Sequence, residues 1–259
     1  ADPTRQAGNI EDLLTQGVDI VVARAEDGAA IGASIRAAQA QGVPFITFDR
    51  ASATVKPTAH VGGDSYDQAV TTAEAFVALL EAKGVQGKCI ELQGALTDIN
   101  AVNRSKGWAD VTGKSGVIET IAQVPTEWNP ELFRSGLANA LRANPEANCL
   151  FVASDFAITA VQAALEEAGR WAPTGEPDHM WLATQDLLPG AVPLMEQGYI
   201  DVSTSYDAFA HSSELVRVII AIAKGEDPGC GEDGCLAKGR VATPENLASL
   251  DNLWSKTYK

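Results

Sequence analysis

Short apolar or β-branched runs alternate with longer segments of helical period along almost the whole chain, a pattern that restricts the fold to an α/β protein with parallel sheet covered by helices on both faces. The runs predict strands at residues 19–24, 44–49, 60–62, 88–93, 117–124, 149–153, 181–184 and 201–205. Between them, single buried stripes are spaced as on helices: Ile31, Ile35 and Ala38; Ala69, Ala73, Phe76 and Leu79; Leu215, Val218, Ile219 and Ile222. Turn chemistry at Gly42-Val43-Pro44, Lys83-Gly84, Asn144-Pro145 and Gln197-Gly198 ends each helix before a strand.

At 259 residues and 46% hydrophobic content the chain can bury one large core or two smaller ones. A formal net charge of −15 argues against nucleic acid, since a phosphate backbone needs clustered Lys and Arg and none is present. The apolar-rich stretch of residues 216–223, broken by Arg217, is far short of the ~18 residues of a membrane span. No charged-then-apolar leader opens the sequence, so any secretory signal is expected to have been removed already, with no bearing on export.

Cys230 and Cys235 bracket Gly-Glu-Asp-Gly, a polar loop flexible enough to bring the sulfurs into disulfide range, which suggests an oxidising compartment. Cys89 and Cys149 each sit second in an apolar run, so neighbouring strands could set them side by side; two buried thiols packing as small hydrophobes is the other possibility. The histidines (His60, His179, His211) are scattered without metal spacing, so no metal site and no cofactor is expected.

A doubly wound lobe opens with strand, helix, strand, a unit of ~30 or more residues. Here residues 1–6 run directly into a helical pattern carrying Ile10, Leu13 and Leu14, so the expectation is a chain that begins mid-fold, with that first unit cut away or outside the numbering.

Several separated motifs, Gln16-Gly17-Val18-Asp19, Gly42-Val43-Pro44-Phe45-Ile46-Thr47-Phe48-Asp49-Arg50 and Glu91-Leu92-Gln93-Gly94, resemble in order and spacing the periplasmic sugar-binding proteins of ABC importers, of the ribose and galactofuranose type. The ending Arg240-Val241-Ala242-Thr243-Pro244-Glu245-Asn246 is similar as well. The resemblance implies a type I periplasmic binding protein fold: two doubly wound lobes, residues 1–63 with 207–238 and residues 64–206 with 239–259, joined by crossings near Asp64, Tyr206 and Gly239, with ligand in the cleft.

Ligand sites in open α/β sheets lie beyond the carboxyl ends of strands, and that rule selects nearly the residues the resemblance does. Asp49 and Arg50 end a strand and offer the acceptor and planar donor that a diol needs; a cap plus a surface ion pair is the plainer alternative. Arg104 matches an arginine that reaches the cleft from the first helix of the second lobe, although by pattern alone it would be solvated. Trp128 aligns with an aromatic that stacks on the C–H face of the sugar. Ser154 and Asp155 stand where relatives carry Asn-Asp, and Ser forfeits an amide that donates and accepts together. Asp186 matches a family aspartate, Gln185 departs from the usual small or aromatic neighbour, and Tyr206 takes the hinge position where some relatives place Gln.

The implied function is a non-enzymatic, exported receptor, periplasmic or on the cell surface. It acts as a monomer, binds a small neutral sugar or polyol, closes on it and meets ABC permease subunits in the membrane. The motifs of dehydrogenases, P-loop enzymes and serine hydrolases are absent. A sugar-responsive transcriptional regulator would need a basic helix-turn-helix headpiece, which is not visible, and a sensor-module domain remains the third alternative.

Overall fold

A computed structural model describes residues 2–257; Ala1, Tyr258 and Lys259, assigned above to the first and second lobes, lie outside the described residues. The chain forms two compact α/β units. The first comprises the chain up to Asp64 together with Thr97–Asn100 and Asp207–Lys238, and the second comprises Ser65–Leu96, Ala101–Tyr206 and the chain from Gly239 onward.

In the first unit, strands β1 (Val21–Ala23), β2 (Phe45–Phe48) and β3 (Ala59–Gly63) form a parallel sheet in sequence order. Helix α1 (Pro3–Thr15) starts on Asp2, whose carboxylate accepts from Arg5 N–H, with Pro3 in the first turn where its missing donor costs nothing. It packs with α2 (Ile31–Ala40) on one face, Ile10, Leu14, Ile31 and Ile35 meeting Val21 and Phe45.

The second unit holds α3 (Ser65–Lys83), β4 (Gly87–Gln93), most of α4 (Ile99–Ser115), β5 (Ile118–Pro125), α5 (Pro130–Ala143), β6 (Cys149–Val152), α6 (Ile158–Glu167), β7 (Trp181–Asp186), the short α7 (Val192–Glu196) and β8 (Val202–Ser205). Helix α8 (Ala208–Ala223) returns to the first unit and covers its opposite sheet face, Val218 packing on Ile46 and Val61. The last strands are β9 (Cys235–Ala237), parallel to β3, and β10 (Val241–Ala242), antiparallel to β8.

Sheet order in the second unit is β10-β8-β7-β6-β4-β5. From β4 the chain moves outward to β5 and then returns past β4 to β6, so the winding reverses between β4 and β6. Period-two alternation sorts the two cores: Cys149 and Phe151 of β6 face α3 and α4 with Phe76 and Trp108, while Leu150 and Val152 face α5 and α6 with Phe133, Leu137 and Val161.

The predicted strands all form, within a few residues of their predicted ends. The pattern missed β9 and β10, whose three and two residues are too short to display a period and whose partners are remote in sequence. Both cysteine pairs are disulfides. Cys89 and Cys149 are directly paired residues of β4 and β6, fully buried with Cα atoms 4.4 Å apart, and Cys230–Cys235 closes the loop before β9 at 4.6 Å. Among the described residues, no helix is long and apolar enough to cross a membrane.

Candidate functional site

Six non-glycine residues among those described have positive φ: Asp49, Glu127, Trp128, Asp186, Leu187 and Asn252. All but Asn252 lie just beyond, or at, the carboxyl end of a strand, and three of them are residues singled out from sequence. Left-handed backbone in a residue with a side chain costs of order 1 kcal/mol or more and persists where surrounding structure imposes it, commonly at functional sites.

In the first unit, Asp49 leaves β2 at φ 63°, its N–H bonded to Val61 O at 2.8 Å. The carboxylate receives Arg24 Nε at 2.6 Å, and Asn100 Nδ2 donates to Asp49 O at 3.1 Å. Arg50 forms an ion pair with Asp98, Nε to Oδ2 2.7 Å, with both side chains largely buried. Burial lowers the Arg50 pKa and Asp98 opposes it, with burial prevailing; a guanidinium stays charged regardless. The plainer expectation for this dipeptide, a cap plus a surface ion pair, describes Asp49, which pairs with the exposed Arg24, but not Arg50, whose pair is largely buried. Sequence patterns did not reveal Arg24, Asp98 or Asn100; only the position of Arg24 one residue past β1 pointed toward the strand ends.

In the second unit, Arg104 is only 5% exposed, which corrects the solvated reading that its local pattern gives. Its Nη2 donates to Asp186 Oδ1 at 2.5 Å and its Nη1 to Ala153 O at 2.6 Å, with a longer contact from Nη1 to Asp186 Oδ2 at 3.3 Å. Ser154 Oγ donates to Asp186 Oδ2 as well. Asp186, Arg104 and Ser154 therefore form one charge-assisted group at the adjacent ends of β6 and β7. Gln68 Oε1 extends it, accepting from Arg104 Nη2 at 3.5 Å. Gln185 points the other way, as alternation requires, and is fully buried with Nε2 donating to Thr72 Oγ1 at 2.9 Å.

Asp155 is placed beneath this group rather than in it. Fully buried, its carboxyl accepts from Leu188 N–H at 2.9 Å and Thr184 Oγ1 at 3.1 Å, tying down the turn that carries Asp186 and Leu187. Burial, reinforced by the Asp186 charge, holds its pKa well above the usual carboxylate range. The folded state then binds a proton that the unfolded state has released, so this contribution is complete below the unfolded carboxylate pKa of about 3.9 and is lost as pH rises toward the folded value. An Asp155→Asn variant, which cannot ionise, is expected to lose less stability than the parent between pH 4 and pH 8, as read from urea midpoints; parallel curves would refute this.

Tyr206 sits half-buried at the end of β8, its N–H donating to Asp186 O at 2.8 Å and its carbonyl accepting from Trp254 Nε1 at 2.5 Å. Trp128 follows β5 with its indole laid over Gly94; a Cβ at Gly94 would stand 2.0 Å from Trp128 Cζ2. Thus the structure gathers Arg104, Ser154, Asp186 and, through its backbone, Tyr206 into one constellation, puts Trp128 at the β4–β5 end of the same strand edge, and puts Asp49 and Arg50 together in the first unit. Among the described residues, no group of His, Cys, Asp and Glu is arranged to hold a metal.

The family model for the periplasmic binding protein domain matches residues 1–227. The chain belongs to that family. Among similar proteins, the ribose import binding protein of Bacillus subtilis is 25% identical over 65% of this chain and 54% of its own length. The xylitol-binding protein of Mycolicibacterium smegmatis is 23% identical over 87% and 62%. The D-apiose import binding protein of Actinobacillus succinogenes is 30% identical over 58% and 48%. The chain thus spans about half to three fifths of the curated relatives it matches first. Among solved structures, the solute binding protein of an ABC transporter from Bacillus halodurans, with bound myo-inositol, is similar at TM-score 0.84 and 22% identity, covering 96% of this chain and 82% of that one. A galactofuranose binding protein gives 0.83 and 17% over 96% and 84%. These likenesses establish the fold, and the family and its relatives are binding proteins.

Proposed function

We propose that this chain is the solute receptor of a carbohydrate ABC importer, exported to the periplasm or cell surface and devoid of catalytic activity. It engages a neutral monosaccharide or polyol and closes on it. The observation that carries this reading is the charge-assisted group Arg104–Asp186–Ser154 flanking the Trp128 indole on one strand edge. A sugar needs both: acceptors and donors for its hydroxyls, and an apolar face for its C–H groups. Asp49 and Arg50 offer an acceptor and a planar donor at the strand ends of the first unit, and Asp155 acts by positioning Asp186. Carboxylates paired with guanidinium groups leave little net charge at the contacts, which suits an uncharged ligand over an anion, and hydrogen bonds to charged groups add about 1.5–3 kcal/mol each. Sugar and polyol relatives, including those named for ribose, xylitol and D-apiose, support the same class.

Ligand stabilises the closed form by its differential affinity for it, and membrane permease subunits then recognise the closed shape. A ligand at a hundred times its Kd stabilises the fold by about 2.7 kcal/mol, a Tm rise on the order of 5–10 °C. A thermal-shift screen across pentoses, hexoses, furanose sugars and polyols should find at least one such response, accompanied by a fall in radius of gyration in solution scattering. A flat response across the whole panel, from folded protein, would sink the proposal.

A further inference from the structure

We infer that Phe156 is a ligand-contacting, specificity-determining residue, and that the ligand carries a deoxy or O-methyl edge on an otherwise hydroxylated framework. This rests on the carbohydrate-receptor reading above and narrows its substrate class.

Sheet order sets β4 between β5 and β6, so three strand ends lie in a row: Gly94 after β4, Trp128 after β5 and Phe156 after β6. Gly94 has no side chain, and the Trp128 indole fills the space above it. Phe156 meets that indole edge-on, with ring centroids 6.0 Å apart and planes at 69°, and both rest on the buried Phe133, whose ring is 5.5 Å from Phe156 at 88°. Edge-to-face packing of this kind is a favoured arrangement for aromatic pairs. Despite these neighbours Phe156 remains 42% exposed, two residues from Ser154, whose Oγ accepts the Phe156 N–H at 3.5 Å.

The strand edge is therefore divided. Toward β7 lie Ser154, Asp186 and Arg104; toward β5 lie two aromatic rings. A hydroxyl set against the Phe156 ring or the face of the indole exchanges water for a surface with no strong donor or acceptor, whereas a methyl or methylene there gains burial. One methylene in an apolar pocket is worth about tenfold or more in discrimination.

The test uses calorimetric titration of the intact chain with matched pairs: L-fucose and L-galactose, L-rhamnose and L-mannose, 2-deoxy-D-ribose and D-ribose, and an O-methyl inositol with myo-inositol. The parent protein should bind the deoxy or O-methyl member of at least one pair about tenfold more tightly, and Phe156→Ala should compress that ratio to about threefold or less. Phe156→Leu, which keeps an apolar side chain at this exposed position, should retain part of the preference and serves as the variant if the alanine form fails to fold. Equal or reversed preference in the parent, or an unchanged ratio in folded variants, overturns the inference while leaving the receptor reading intact. Binding of no member of any pair, nor of any other sugar or polyol, overturns both.

Discussion

Replacing Arg104 with alanine is expected to destabilise the protein by about 3–5 kcal/mol and to abolish ligand-induced stabilisation. The guanidinium bonds Asp186 and Ala153 O inside a site where both partners are nearly buried, so its removal leaves the Asp186 carboxylate without its cation in a poorly hydrated position. Arg24→Ala is the contrast. That pair is about as close, at 2.6 Å, yet Arg24 is 53% exposed and screened by solvent, so its loss should cost under about 1 kcal/mol. Urea unfolding of the two variants decides the matter, and comparable losses would show that burial does not govern these pairs. Arg104→Lys refines the test: an ammonium keeps the charge but cannot reproduce the planar fork, so stability should recover more than ligand affinity.

The second large effect concerns the disulfides. Cys89–Cys149 closes a loop with a sequence separation of 60, which constrains the unfolded chain by about 4 kcal/mol, while Cys230–Cys235 with a separation of 5 contributes about 2. Alanine at both buried positions should therefore lower unfolding stability about twice as much as serine at both loop positions. Access differs as well as entropy. Cys89 and Cys149 lie in the sheet with no exposed surface, so a reductant reaches them only through opening of the second unit. Under native conditions with dithiothreitol, alkylation and intact mass should count two free thiols per chain, rising to four in denaturant. Four thiols from folded protein would contradict the buried placement of that pair.

Much of the fold could be read from periodicity because each long element declares its own partner face. The β6 segment Cys149-Leu150-Phe151-Val152 is apolar on both sides, which only a strand covered by helices on two faces requires. Strands β9 and β10 carried no such signal, since their existence depends on edges supplied by β3 and β8. For the candidate site, strand-end position located Asp49, Arg50, Ser154 and Asp186, but Arg24, Asp98 and Asn100 carried no signal, and Arg104 was reached only through the family resemblance. Arg104 lies on a helix face that reads as solvated until β6 and β7 are set beside it, and Asp155, one residue from Ser154, turns inward to hold a backbone turn. Phe156 was invisible for a related reason: its exposure acquires meaning only once β4 is known to lie between β5 and β6, bringing Trp128 against it.

The left-handed backbone at Asp186 and Leu187 is pinned by Asp155 and by Tyr206 N–H, and Arg104 and Ser154 hold the Asp186 carboxylate, so that carboxylate is oriented in advance of binding. Little rotamer entropy is then surrendered on binding in the second unit, which removes a penalty of about 0.5–1.5 kcal/mol for each side chain that would otherwise have to be immobilised. If this group binds the proposed sugar, such a rigid half cannot remodel itself to a poor match, and an epimer with one hydroxyl misdirected would meet a fixed acceptor at the wrong angle. On the proposed receptor reading, selectivity among stereoisomers would be written into a fixed network rather than into side-chain mobility.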